Sequence, residues 1–337
     1  MDNRFLSRVR ASAVRIPTPL STYPGLPLTG ARVLDVLSDP RVQVETQLAL
    51  HERFETPLLL SPMDLSAEAE AFGSEIRFSD GEVPSVVRPL VESAGDVRQL
   101  AIPAPGDGRT AVHLEAVAMM RRAEPDAPIV GGIIGPFSLA GQLLGLTPLM
   151  MLSLSDPGLV EALLDKTTPF LARYAAAFAA AGADAVLMAE PMAGLISPAL
   201  LGRFSSARVA AIREAAEAGG FRVFLHNCSA RLVHLPKILE AGASFYHFGA
   251  PMDLAAALKQ VPADVVVAGN LDPARVFCQG TAETVAAAAR ALLAAADGQR
   301  CFVPSSGCDL PPGTPLDNLE AFYRAVRDGA DGPPPAS

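Results

Sequence analysis

The stretch Phe221-Arg222-Val223-Phe224-Leu225-His226-Asn227-Cys228-Ser229 runs from a short apolar segment straight into two metal-binding side chains, His226 and Cys228. A continuous apolar run of this length reads as a strand covered on both faces, the pattern of a parallel sheet. Similar runs recur at Pro57–Ser61, Ile129–Ile134, Asp184–Ala189, Ser244–Phe248, Val265–Ala268 and Cys301–Pro304. Helical patterns separate them at Thr110–Ala123, Gly158–Ala181, Pro198–Ala218 and Pro273–Ala296, the last opened by Asp272 as N-cap and Pro273 at the first helical position. Strand, loop and helix repeated in this order predict a parallel α/β fold.

Polar residues follow these runs with unusual regularity: Asp64, Glu190, His226, Cys228, His247, Asn270 and Cys308. In a (β/α)8 barrel such positions converge on one face, where active sites are built. The expectation is a single-domain TIM barrel over residues 35–328, with an irregular N-terminal arm at 1–34 and a disordered Pro- and Gly-rich tail at 329–337. The arm carries Pro17-Thr18-Pro19 and Tyr23-Pro24-Gly25, and its role is not legible. No Gly-x-Gly-x-x-Gly follows a first strand, so nothing supports a doubly wound dinucleotide fold.

His226 and Cys228 gain a third partner in Cys308, within Ser305-Ser306-Gly307-Cys308-Asp309. Zinc takes imidazole nitrogen and thiolate sulfur in tetrahedral sets, and three protein ligands leave one position for water or substrate. A closed structural staple normally uses four ligands with close Cys-x2-Cys pairs. Here one pair is separated by a single residue and the third ligand lies at another predicted strand end. The trio therefore reads as a catalytic site. Cys278 and Cys301 sit among apolar residues and read as buried small hydrophobes.

Four further residues are catalytic candidates. Glu190, in Met188-Ala189-Glu190-Pro191, is either a weak fourth ligand or proton holder near the site, or a loop carboxylate satisfied by backbone amides. Asp64 is either a substrate contact or a helix N-cap. His247 is either the outer partner that ligating histidines need or a satisfied core residue. Asn270, after Gly269, places a short amide beside the barrel mouth, where it can bond to the metal's surroundings. His51, His113 and His234 lie on predicted helices and read as surface or core residues. Gly135-Pro136-Phe137-Ser138 reads as a plain strand-to-helix turn.

Composition narrows the partners. The net charge of -9 comes without any Lys/Arg block, which argues against nucleic acid, whose binding depends on clustered cations. The N-terminus lacks an apolar signal core, and stretches such as Ala175–Ala183 are too short to span a bilayer, so a cytoplasmic location and no membrane partner are expected.

Several motifs together resemble a known family. They are Pro62-Met63-Asp64-Leu65-Ser66-Ala67-Glu68-Ala69-Glu70-Ala71-Phe72-Gly73, Gly135-Pro136-Phe137-Ser138-Leu139-Ala140, His226-Asn227-Cys228, Gly269-Asn270-Leu271-Asp272-Pro273, and Gly307-Cys308 followed by Pro315-Leu316-Asp317-Asn318-Leu319. In this order, from Asp35 to Arg327, they resemble the uroporphyrinogen decarboxylase superfamily, and within it the zinc-dependent corrinoid methyltransferases of the methylcobamide:coenzyme M type. The resemblance implies a (β/α)8 barrel, one Zn2+ held by His226, Cys228 and Cys308, and methyl transfer between a corrinoid protein and a thiol. In this light Asp64 gains a possible contact with a corrinoid edge. Two positions depart from the pattern: Ser229 stands where the family often has Gly, and Ser306 where many members have Pro.

The chemistry also has a reason of its own. A free thiol with a pKa near about 8.5 is mostly protonated at neutral pH, and binding to zinc deprotonates it. Two cysteinates offset the metal's charge and leave a third, substrate thiolate electron-rich; three histidines would instead favour water activation. Decarboxylation of uroporphyrinogen acetates, the superfamily's other activity, needs clustered cations. The family's Arg-Gln-Ala-Gly-Arg stretch is missing, and the corresponding region reads Arg15-Ile16-Pro17-Thr18-Pro19-Leu20. A third alternative is a non-catalytic zinc- or corrinoid-binding subunit. No Asp-x-His-x-x-Gly corrinoid motif occurs, so the corrinoid (cobalamin) is expected to arrive on a partner protein.

Overall fold

The structure, a computed structural model, describes residues 2–79 and 82–329. Seven strands form one parallel sheet: β1 (Leu59–Leu60), β4 (Ile129–Ile134), β5 (Ala185–Ala189), β6 (Arg222–Asn227), β7 (Phe245–Phe248), β8 (Val266–Leu271) and β9 (Phe302–Ser306), in that spatial order. A two-stranded antiparallel ribbon, β2 (Ile76–Arg77) with β3 (Ser85–Val86), rises between β1 and β4. Each sheet strand falls on one of the seven apolar runs. Neighbours pair in parallel register, with Ala189 beside His226, His226 beside His247, and His247 beside Ala268.

Alternation along the strands sorts side chains into two sets. Val223, Leu225, Tyr246, Phe248 and Val267 face outward into the main core under the helices, whereas Leu60, Val130, Leu187, Phe224, Phe245, Val266 and Val303 form a separate inner cluster. A period of two then places His226, His247 and Ser305 on the inner side, one layer above Phe224, Phe245 and Val303.

The sheet is curled, and the N-terminal helix Arg4–Ala11 shows why. Phe5 packs on Phe224 and Phe245, with ring centroids 6.4 and 6.1 Å away. Asn3 donates to the carbonyls of Asp184 and Gly220, Arg4 to Pro125 and Arg10 to Asp264. These carbonyls lie just ahead of β5, β6, β4 and β8. A flat seven-stranded sheet would be about 29 Å across. A helix of this length spans only about 12 Å, so the strand starts must converge around it.

The structure differs from the sequence expectation in several places. Among the described residues the parallel sheet has seven strands rather than eight, and β9 and β1 share no ladder. The arm runs beside β9 instead: Thr18 N donates to Pro304 O at 2.9 Å and Leu20 N to Ser306 Oγ at 2.9 Å. Gln47, on the helix Pro40–Phe54, links the arm to β1, its Nε2 donating to Ser21 O and its Oε1 accepting from Leu60 N, each at 3.0 Å. Nor is the arm irregular throughout, since Arg4–Ala11 is helical with Asn3 as its cap. The stretch Pro273–Ala296 is two elements: a wide turn over Pro273–Cys278, then a helix Ala282–Ala295 capped by Thr281. Gly280 marks the break, where a Cβ would stand 2.2 Å from Val276 O. Pro198–Ala218 likewise divides into Pro198–Leu201, a wide turn Gly202–Ser206 and Ala207–Ala216. Cys278 and Cys301 are half-exposed rather than buried. Residues 330–337 of the expected tail lie outside the described residues.

Among the described residues no single helix is long and apolar enough to cross a membrane; the pair Pro136–Leu144 and Leu146–Ser155 is apolar enough only together and bends by 110°.

Two stability predictions follow. Gln47→Ala strands the Leu60 amide and the Ser21 carbonyl, which should cost roughly 2–6 kcal/mol at about 1–3 kcal/mol per unpaired buried group. Denaturant unfolding tests this, and a loss below about 0.5 kcal/mol would mean the seam does not need the amide. Glu68, fully buried, accepts from Ile134 N at 2.8 Å with one oxygen, while the other has no partner. Burial raises its pKa to about 7. The folded state then holds a proton that the unfolded chain releases, so this contribution is complete below about pH 4.5 and is lost as pH rises through 7. Glu68→Gln should match the wild type near pH 5 and exceed it by about 3 kcal/mol above pH 8. An equal difference at both pH values would show that Glu68 does not titrate in that window.

Candidate metal centre

His226 ends the inward-facing row of β6, and Cys228 follows two residues later. Cys308 lies two residues beyond β9. One ligand atom from each lies within 4.8 Å of the other two. The loops reach this spacing because glycines allow close backbone approach: a Cβ on Gly249 would stand 2.0 Å from Cys228 O, and one on Gly307 would stand 2.8 Å from Ala250 N.

A chain of hydrogen bonds fixes the imidazole. Ser305 Oγ donates to the Thr18 carbonyl at 2.7 Å, since a carbonyl can only accept. Ser305 Oγ therefore accepts from His247 Nε2, 2.9 Å away. Burial, and then the neighbouring His226, hold His247 well below the ordinary histidine range, so its ring is neutral and Nδ1 is an acceptor. His226 Nδ1, 2.8 Å from that atom, must carry the proton. This leaves the lone pair on His226 Nε2, which is buried and has no hydrogen-bond partner.

The two thiols complete the donor set. Cys308 donates to Cys228, which holds the Cys228 thiol below its ordinary pKa and pushes Cys308 well above. A buried imidazole nitrogen without a hydrogen-bond partner and two neighbouring sulfurs, one of them with its pKa lowered, fit a single zinc ion. Such a site has the soft, closely spaced donors that metal binding needs.

The remaining candidates surround this centre without joining it. Glu190 is fully buried and accepts from Phe137 N at 2.9 Å, Ser138 N at 3.1 Å and Ser138 Oγ at 2.8 Å. It thus caps the helix Pro136–Leu144, and burial raises it to about 7 despite those bonds. Asp64 accepts from Ser66 N and Ser66 Oγ and pairs with Arg109, rather than capping the short helix that follows. Asn270 donates to the carbonyls of Gly249 and Met252 at 3.1 and 2.8 Å, tying the end of β8 to the loop that packs on Cys228. Of the helix-borne histidines, His113 is buried against Gln43, His234 is buried, and His51 is half-buried.

The centre opens into a cavity of about 580 Å³ whose wall includes Tyr23, Met63, Leu65, Val83, Leu310 and Asp309. Burial raises the Asp309 carboxyl to about 6, and its Oδ1 accepts from Thr22 N at 2.9 Å. Sequence reasoning passed over Ser305, Tyr23, Asp309 and Arg109. The first and third flank Cys308 and were within reach of a motif reading, whereas Tyr23 and Arg109 arrive from distant segments.

Residues 26–329 match the family model described as Uroporphyrinogen decarboxylase (URO-D). The chain belongs to the uroporphyrinogen decarboxylase family. Its relatives include the methylcobamide:CoM methyltransferase MtbA of Methanosarcina acetivorans, 29% identical over 79% of this chain and 78% of that protein. They also include a uroporphyrinogen decarboxylase of Anaeromyxobacter dehalogenans, 26% identical over 97% of this chain and 98% of that one. A solved methyltransferase from Methanosarcina mazei superposes with a TM-score of 0.86 at 26% identity, covering 96% and 97% of the two chains.

The hydrogen-bond chain yields a prediction for this family member. His247→Leu frees His226 Nδ1 and should weaken zinc binding by roughly 10–100-fold, as loss of an outer partner does elsewhere. Competition against a chromophoric chelator measures it. Unchanged affinity would mean that His247 does not orient the ligand.

Proposed function

We propose that this chain is a zinc-dependent methyltransferase that moves a methyl group between a methyl-corrinoid protein and a thiol. The observation that carries the reading is the His226–Cys228–Cys308 trio, a buried histidine with an unpartnered Nε2 beside two half-buried cysteines, at the foot of an apolar cavity. The methyltransferase relatives support it.

His226 Nε2 and the two cysteine sulfurs would hold the ion. A zinc ion there would supply the Lewis acidity that keeps a bound thiol as thiolate at neutral pH. The Ser305–His247 relay fixes the imidazole so that its lone pair faces the thiols. The apolar wall excludes water, which strengthens attraction between charges inside. Transfer would form a bond from the acceptor's sulfur to the methyl carbon while the cobalt–carbon electron pair would stay with the corrinoid. The balance needs no outside oxidant or reductant.

Within this reading His247, Asn270, Glu190 and Asp64 act as positioning residues. His247 orients the ligand, Asn270 holds the Cys228 loop, Glu190 anchors the helix after β4, and Asp64 fixes Arg109. Residues 35–328 form the catalytic barrel, and the arm over residues 1–34 seals it between β9 and β1. The corrinoid is carried by a separate protein in the cytoplasm. The decarboxylase alternative is disfavoured because none of the described residues lining the cavity is Lys or Arg, the groups a substrate with many carboxylates requires.

The test is metal content and turnover together. Purified protein should hold one zinc per chain and demethylate methylcobalamin in the presence of a thiol. Cys308→Ser should lose the zinc and at least about 100-fold of the rate, while its circular dichroism stays native because Cys308 sits on the loop after β9. A folded, zinc-free wild type sinks the proposal, and a Cys308→Ser variant that fails to fold would point to a structural staple.

A further inference from the structure

The cavity wall carries information about which thiol it accepts. Its described lining is largely apolar, with Met63, Leu65, Val83 and Leu310 beside the metal trio, and none of it is Lys or Arg. The charged groups on the wall are the carboxylates of Glu82 and Asp309. Arg109, held near Asp64, is not among the described lining residues, and each of its nitrogens already makes a bond: Nη1 to Asp64, Nε to Glu70 at 2.5 Å and Nη2 to Ser66 Oγ at 2.8 Å. An anionic tail on the acceptor would leave water without a compensating cation and meet two groups of its own sign, an unfavourable transfer.

One neutral donor faces the opposite demand. Tyr23 lines the same cavity, is 3% exposed, and its buried hydroxyl has no hydrogen-bond partner in the protein. A phenol in that position gains if a ligand supplies an oxygen or another uncharged acceptor. We infer that the acceptor is an uncharged thiol, not a sulfonate- or carboxylate-bearing one, and that Tyr23 recognises its polar group. This rests on the methyl-transfer reading and deepens it. The coenzyme M of the relatives' names is a sulfonate thiol, so the inference sets this chain apart from them in acceptor.

The experiment is calorimetric titration of the zinc-loaded protein with three thiols built on the same two-carbon chain: ethanethiol, 2-mercaptoethanol and 2-mercaptoethanesulfonate. The sulfonate should bind at least about tenfold more weakly than 2-mercaptoethanol. Tyr23→Phe, which keeps the ring and its packing, should reduce the preference for 2-mercaptoethanol over ethanethiol by about fivefold, the worth of one neutral hydrogen bond. Its ethanethiol constant reports whether the pocket is intact. Sulfonate binding as tightly as 2-mercaptoethanol overturns the inference while leaving thiol transfer standing. A preference untouched by Tyr23→Phe overturns the role of Tyr23. Failure of all three thiols to bind the zinc-loaded protein would overturn the methyl-transfer reading itself, and this inference with it.

Discussion

The structure depends on one hydrogen-bonded line that crosses the inside of the sheet, from the Thr18 carbonyl through Ser305 and His247 to His226. Its members come from the arm, β9, β7 and β6, so it joins segments that no local preference brings together. Each bond adds only about 1 kcal/mol net, but losing a member leaves a buried partner unpaired, at about 1–3 kcal/mol. The direction of the line matters as much as its energy. Because a carbonyl can only accept, every proton along it is assigned, and the last assignment leaves the Nε2 lone pair beside the sulfurs.

Buried charge elsewhere is arranged so that it does not compete for this centre. Glu190 ends on the amides that open the helix Pro136–Leu144, where the helix dipole and free N–H groups favour an anion. Glu68 ends on Ile134 N, and Asp64 on Ser66 and Arg109. Three carboxylates, one just after β5, one in the loop after β1 and one on the short helix Ala67–Ala71, thus bond to backbone, serine or arginine rather than reaching toward the thiols. These three hard oxygen donors are held away from the place where soft sulfur donors meet, and the sulfurs themselves favour zinc over the oxygen-preferring cations.

The sheet strands were legible because burial on both faces leaves a local trace, a short unbroken apolar run, and each of the seven runs became a strand. The metal trio was legible from residue type and its place after those runs. Breaks such as the one at Gly280 were not, because a single glycine inside an Ala-rich pattern costs a helix only about 1 kcal/mol and tertiary packing decides the outcome. The arm was opaque for a stronger reason. The purpose of Thr18, Leu20 and Tyr23 lies in β9 and the cavity, nearly the whole chain away, and no periodicity records such a contact. Arg109 is hidden in the same way, since its partners Asp64 and Glu70 precede it by 45 and 39 residues.

The two departures from the family pattern become intelligible in this setting. Ser306, in place of the common Pro, offers its Oγ to Leu20 N at 2.9 Å, a bond that proline cannot accept with its ring. It therefore ties the arm to β9 two residues before Cys308. Ser229, in place of Gly, donates to the Pro191 carbonyl, which spans the β5 and β6 loops one residue after Cys228. Room for that hydroxyl comes from Gly194, where a Cβ would stand 2.5 Å from Ser229 Oγ. Both substitutions replace a residue without a side-chain acceptor or donor by one that fastens a ligand loop to a neighbouring segment. The altered loops are thus more firmly held, so the departures are consistent with an intact ligand set and place any change of acceptor in the cavity wall.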